Sequence, residues 1–386
     1  MRYGLIILTL IVSSFCHPNE VVLGENDVFN SSALAPFLRK LAKLDSTKSG
    51  KVSVVHIGDS HIQADFFSGQ TRKRLQTRFG NAGRGLVFPY SLAGTSGAID
   101  VKFKSDGVWN HCDIMKGFLN CNLGVSGYSV SCKSETRFVL DVKSKADTDA
   151  SFNKLSLFSE DTFVIDSETI GAYRDSSDGK EVTILFDELQ DSLTLLALTS
   201  DNIGQVELQG VVMENQLPGI LYNAVGVNGS STRQYLRSQV FSEQIASLDA
   251  SLVIISFGTN DCYMSSSKFC IDCVKEGIRN LIVRIRKENP SSAILLTSPP
   301  DSYIYRKYAN SNIPKLQQAM KELCFEQNVA LWDFYGLMGG KNSIKQWQNN
   351  GLARRDYIHL TKTGYELQGN LLYEALIKAY DDLDDV

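Results

Sequence analysis

Ser60 lies in Gly58-Asp59-Ser60-His61, directly after the apolar run Val52-Ser53-Val54-Val55-His56-Ile57. Such a run, ending in glycine and a polar turn, is the pattern of a parallel strand giving way to a helix. In open α/β sheets ligands collect outside the carboxyl ends of the strands, and a helix start offers unpaired backbone N–H groups. A serine hydroxyl there is placed as a nucleophile. Three further segments follow: Gly226-Val227-Asn228-Gly229-Ser230, Gly258-Thr259-Asn260-Asp261 and Asp356-Tyr357-Ile358-His359. Acyl transfer by serine needs a hydroxyl, a base, a carboxylate that orients the base, and donors aimed at the developing oxyanion. Ser60 supplies the hydroxyl and His359 the base. Asp356, three residues before His359, supplies the carboxylate. The backbone N–H groups of Ser60 and Gly229 and the side-chain amide of Asn260 are the candidate oxyanion donors.

Each residue also has a plainer reading. Ser60 could cap the helix that follows, while Asn260 and Gly229 are common turn residues. Of the five histidines, His17 is at the amino end and His111 is in a strand-rich region, so His56, His61 and His359 compete as base. His56 alternates within a strand and reads as a hydrogen-bonded core residue. His61 adjoins Ser60 at a sharp turn, where neighbouring side chains diverge, and reads as structural or substrate-facing. Only His359 has a carboxylate at the right local spacing. Asp59 and Asp261 read as turn and hydrogen-bond formers, and Arg354-Arg355 as exposed loop residues.

The elements that must position these residues fall into two textures. A strand over 52–57 leads into a helix over 70–79, whose Leu75 and Phe79 are at i and i+4, and Gly80 ends it. From 98 to 215 apolar and polar residues alternate in short runs between turn residues, as at 137–142, 162–165, 181–186 and 205–210, which is strand spacing. A β-sandwich or jelly roll is expected there. Strand and helix then alternate again, with strands over 252–257, 293–297 and 329–333 and helices over 272–289, 313–328 and 366–380. Apolar strands separated by helices indicate a parallel sheet covered on both faces.

With 386 residues the chain exceeds one average core, so two domains, or one with a large insert, are expected. A net charge of -4, with 21% charged residues, gives no basic face, so nucleic acid is not an expected partner. Arg2, the apolar stretch 5–12 and Ser13-Ser14 read as an export signal over 1–16. That stretch is short of the roughly 20 residues that span a bilayer, and no transmembrane span is expected elsewhere. Cys16 is a candidate for lipid attachment, although Phe15 is bulky for such processing. Eight cysteines in an exported chain favour disulfides, one within Cys112, Cys121 and Cys132 and one within Cys262, Cys270 and Cys273. Cys270 and Cys273 lack a second pair or a nearby histidine, so no metal and no cofactor is expected.

Taken together, Ser60, Gly229, Asn260 and Asp356 with His359 resemble the four blocks of SGNH or GDSL-type serine hydrolases, in their order. The first block has His61 where many members carry Leu. Its form Gly-Asp-Ser-His-x-Gln, followed by Ala64-Asp65-Phe66-Phe67-Ser68-Gly69, is similar to exported peptidoglycan O-acetylesterases with a carbohydrate-binding-module-like domain inserted between the first two blocks. The resemblance implies a three-layer α/β/α parallel-sheet hydrolase domain, formed by 17–97 and 216–386 and interrupted by an all-β sandwich at 98–215. It further implies a periplasmic serine esterase that removes acetyl groups from C6 of muramoyl residues through an acetyl-enzyme on Ser60. An esterase for another acetylated glycan, an acetyltransferase with the same triad and a non-catalytic glycan-binding protein are the alternatives. The insert would bind glycan through Trp109 or its tyrosines, or shape one wall of the cleft.

Overall fold

Alternate residues of the strand Lys51–Gly58 enter two different hydrophobic cores, Val52 and Val54 one, Val55 and Ile57 the other. A strand buried on both faces belongs inside a covered sheet, which is why its sequence is almost continuously apolar. In a computed structural model describing residues 21–116, 121–133, 135–142, 150–166, 173–199 and 204–383, this strand pairs in parallel with Gly219–Gly226 on one side and Ala250–Ser256 on the other. Ala293–Thr297 and Ala330–Trp332 extend the sheet in parallel, and Val28–Phe29 closes it as a short antiparallel edge. The five parallel strands therefore lie in the order second, first, third, fourth, fifth. Winding reverses around the first strand, and sheets of this kind open a ligand crevice there, outside the carboxyl ends.

The helices Ala35–Thr47, Phe66–Phe79 and Lys362–Asp381 cover one face, burying Leu41, Leu75 and Leu372 among others. Ile271–Glu288 and Ile313–Gln327 cover the other through stripes such as Val274, Ile278, Leu281 and Ile285. This is the expected three-layer α/β/α architecture.

The alternating region forms antiparallel sheets. Tyr173–Ser177, Glu181–Gln190, Phe152–Phe158, Gly210–Glu214 and Gly85–Val87 make one of five strands, and Val101–Ser105, Thr136–Val142, Ser192–Leu198 and Thr162–Ile165 one of four. A third sheet joins Gln205–Leu208, Tyr128–Lys133 and Asn110–Asp113. Inward residues of the two larger sheets, including Phe138, Leu140, Phe152, Leu155 and Leu195, are buried in one core, as in a β-sandwich. That core is continuous with the face of the parallel sheet carrying Ile271–Glu288. Disulfides join Cys112 to Cys121 and Cys270 to Cys273, while Cys132, Cys262 and Cys324 are buried thiols. The expected export signal, Cys16 and His17 lie outside the described residues. No helix among the described residues is long and apolar enough to cross a membrane.

Candidate active site

Ser60 opens the short helix Ser60–Gln63, but it does not cap it. The cap is Asp59, whose Oδ1 accepts the His61 backbone N–H at 3.0 Å. That leaves the Ser60 hydroxyl uncommitted to the helix. The turn is tight because Gly58 and Gly226 permit it: a Cβ on Gly58 would lie 2.4 Å from Ile62 Cγ1, and one on Gly226 would lie 2.5 Å from the Asp59 carbonyl oxygen.

Ser60 Oγ lies 3.0 Å from His359 Nε2, and His359 Nδ1 lies 2.9 Å from Asp356 Oδ2. Asp356 Oδ1 also accepts the backbone N–H groups of Ile358 and His359, at 2.9 and 3.0 Å. Burial alone would raise the Asp356 carboxyl, but the bonds from the His359 ring and these two amides outweigh it and hold the carboxyl well below its ordinary range. Asp356 is thus a carboxylate that can fix the His359 tautomer. His359 stands on the loop before the helix Lys362–Asp381, which packs on Phe66–Phe79. Gly369 allows the approach, since a Cβ there would be 2.7 Å from the Phe67 carbonyl oxygen. The packing of the last helix on Phe66–Phe79 accounts for the meeting of residues 299 positions apart.

Gly229 follows the strand Gly219–Gly226 and adopts φ +79°, a left-handed conformation that favours glycine. Among the described residues, neither the Ser60 nor the Gly229 backbone N–H has an acceptor. Asn260, in the short helix after Ala250–Ser256, donates from Nδ2 to the Ser230 carbonyl at 2.9 Å, with Asp59 Oδ2 a longer 3.4 Å away. The three candidate donors therefore follow three adjacent strands at the reversal of winding. Asp261 accepts from Thr232 Oγ1 at 2.8 Å and holds the neighbouring loop. Asp59 is buried, which pushes its carboxyl up to about 7 against the opposing pull of the His61 amide.

His56 is fully buried between Tyr222 Oη at 2.8 Å and Ser256 Oγ at 2.7 Å. His61 Nδ1 meets Tyr365 Oη at 2.9 Å, and its ring centroid is 5.3 Å from that of His359. Burial, reinforced by His359, pulls the His61 ring down to about 3, so it is a neutral neighbour of His359. Arg354 and Arg355 are exposed. Trp109 is half-buried, with its ring T-shaped to that of Phe138 at 5.6 Å and its Nε1 buried.

Gln63 goes beyond the sequence expectations. Its Oε1 accepts the Asn228 N–H at 2.7 Å and its Nε2 donates to the Ser96 carbonyl at 2.6 Å. It ties the Ser60 helix to the loop carrying Gly229. The signal was present in Gly-Asp-Ser-His-x-Gln, where a buried amide three residues after the serine faces back across the turn.

Residues 191–367 match the model of the GDSL-like Lipase/Acylhydrolase family. The match begins after Ser60 and includes Gly229, Asn260, Asp356 and His359. No curated protein matches the chain in sequence. Among solved structures, a peptidoglycan O-acetylesterase is similar over 93% of this chain and 99% of its own, with 23% identity and a TM-score of 0.72. A putative acylhydrolase from Bacteroides fragilis NCTC 9343 covers 41% of this chain and 76% of its own, with 24% identity and a TM-score of 0.34. An acetylxylan esterase from Geobacillus stearothermophilus covers 42% and 73%, with 18% identity and a TM-score of 0.32. The first of these likenesses extends the fold agreement to the inserted sheets. The chain thus carries a GDSL-like lipase/acylhydrolase domain and is a carboxylic ester hydrolase.

Proposed function

We propose that this hydrolase is an exported acetylesterase that removes O-acetyl groups from peptidoglycan, at C6 of muramoyl residues, with Ser60, His359 and Asp356 as its catalytic triad. The observation that carries the chemistry is the Ser60 Oγ to His359 Nε2 distance of 3.0 Å, with Asp356 behind the ring at 2.9 Å. Ser60 Oγ attacks the acetyl carbonyl carbon while His359 Nε2 takes the hydroxyl proton. The backbone N–H groups of Ser60 and Gly229 and Asn260 Nδ2 receive the oxyanion. Collapse breaks the ester bond, His359 protonates the departing sugar oxygen, and an acetyl group remains on Ser60. Water, deprotonated by His359, then releases acetate and restores the serine.

The glycan part of the proposal is supported by the inserted sheets. Met115, in the loop after Asn110–Asp113, comes so near the Gly229 loop that a Cβ on Gly229 would be 3.5 Å from its Cε. An insert forming one wall beside the ester suits an extended substrate better than a small one. We assign 1–16 to an export signal, 17–97 and 216–386 to the hydrolase domain and 98–215 to the insert, and place the mature protein in the periplasm. Purified protein is expected to release acetate from acetylated peptidoglycan and none from the same material after base treatment. Hydrolysis of a simple acetyl ester without acetate from peptidoglycan would overturn the substrate assignment.

A further inference from the structure

A cleft of about 580 Å³ begins at Gly229 and Asn260 and runs away from Ser60 along the loop and helix that follow each. Its outer lining includes Arg233, Arg237 and Lys268, all three exposed. The whole chain is acidic, with a net charge of -4, so three cations around one opening depart from the average surface. Ordinary surface cations are solvated singly or paired with carboxylates. Here none of the three is ion-paired among the described residues. The Arg237 side chain donates from Nη1 to the Ile114 carbonyl at 2.8 Å, which anchors the guanidinium at the insert side of the opening. Among the described residues that line the cleft the one carboxylate is Asp261, which is buried and engaged by Thr232 Oγ1 at 2.8 Å, so it does not neutralise the rim.

Resting on the esterase reading above, we infer that this cleft is a subsite for a carboxylate of the substrate, held by Arg233, Arg237 and Lys268 while the acetyl carbonyl lies against Gly229 and Asn260. Guanidinium groups match carboxylates by paired N–H donors, and a lysine adds a movable point charge. The substrate class is then an O-acetylated glycan that carries an acid within one cleft length of the ester. Two sources offer that group: an acid borne on the sugar ring itself, and the terminal acid of a peptide attached to it. Uniform binding of this kind lowers KM and leaves the chemical step to Ser60 and His359.

The test compares three O-acetylated oligosaccharides, one neutral, one with a carboxylate on the sugar and one with a carboxylate at the end of an attached peptide. The unmodified protein is expected to prefer an acidic substrate in kcat/KM, and Arg233→Ala with Lys268→Ala is expected to cut that preference roughly tenfold. Raising the salt concentration should erode the preference of the unmodified protein in the same direction, without any substitution. The sugar-borne or the peptide-borne arm that shows the preference identifies the source of the acid. No preference for either acidic substrate, or a preference that neither salt nor the double substitution alters, would overturn the subsite. If no probe releases acetate, the esterase reading fails separately. Calorimetric binding of the deacetylated acidic oligosaccharides then decides the subsite: weakening by the double substitution supports it, and absence of binding overturns it.

Discussion

At the scale of single residues, the decisive arrangement is a carboxylate held ionised behind an imidazole. Asp356 is pulled down by three hydrogen bonds, so it stays charged at every pH where His359 could act as a base. In Asp356→Asn the amide oxygen can still accept from the backbone, but a side-chain N–H cannot accept from His359 Nδ1. The ring then turns or changes tautomer, and kcat is expected to fall about ten-thousandfold, as for the equivalent change in a serine protease. The same shift fixes a pH dependence. A depressed carboxyl contributes stability above its unfolded value of about 4 and loses it as pH falls through the lower folded value. Thermal melts should therefore show the unmodified protein's advantage over Asp356→Asn largest above about pH 4 and shrinking below it. An advantage that grows towards acid would contradict this. For Asn260→Ala, loss of the proposed oxyanion donor should lower kcat on the order of a hundred- to a thousandfold. A change under about threefold in steady-state rate would leave Asn260 only its bond to the Ser230 carbonyl.

At the scale of elements, the site depends on short helices and loops that follow adjacent strands. Gln63 couples two of them, bonding the Asn228 N–H while its other end holds the Ser96 carbonyl. Gln63→Leu removes both bonds and frees the Gly229 loop, so kcat should drop about ten- to a hundredfold, somewhat less than loss of a donor itself. A matching rise in KM with kcat unchanged would mean that the loop serves binding alone. Much of this layer was legible in the sequence. The strand Ala293–Thr297 and the helix Ile313–Gln327 follow their apolar patterns, and the first-block turn follows from an apolar run ending in glycine. The helix Ala35–Thr47 was also written there, in Phe37, Leu38, Leu41 and Leu44 on one face and in Pro36 within its first turn. The strand Gly219–Gly226 was harder, because Asn223 interrupts its apolar run. That side chain is fully buried and accepts the Leu86 N–H at 2.8 Å while donating to Ser53 Oγ at 3.1 Å. A polar residue whose partners come from distant segments gives no local signal.

At the scale of the whole molecule, the parallel sheet and the inserted sheets are linked by buried charge as well as by a shared core. Arg84, 2% exposed, reaches Asp65 at 2.5 Å and Asp100 at 2.6 Å, and Arg72 reaches Asp65 at 2.8 Å. Asp65 precedes the helix Phe66–Phe79, whereas Arg84 and Asp100 flank the passage towards the inserted strands. Arg84→Ala leaves two carboxylates competing for one guanidinium, and denaturant unfolding should report a loss of about 3–5 kcal/mol. A loss under about 1 kcal/mol would show that water replaces the arginine. The sequence announced an insert by its change from helical to alternating texture. It could not announce this network, whose members are spread over four positions with no periodicity.

In the proposed catalyst the Ser60 hydroxyl, from early in the chain, meets the His359 imidazole, from late in it. Acid-quenching the protein during turnover of 4-nitrophenyl acetate, followed by peptide mass spectrometry, locates the acetyl group. Acetyl is expected on the peptide containing Ser60, accumulating in the unmodified protein and absent from Ser60→Ala, which should also have lost nearly all turnover. Acetyl on another residue, or undiminished hydrolysis by Ser60→Ala, would contradict it.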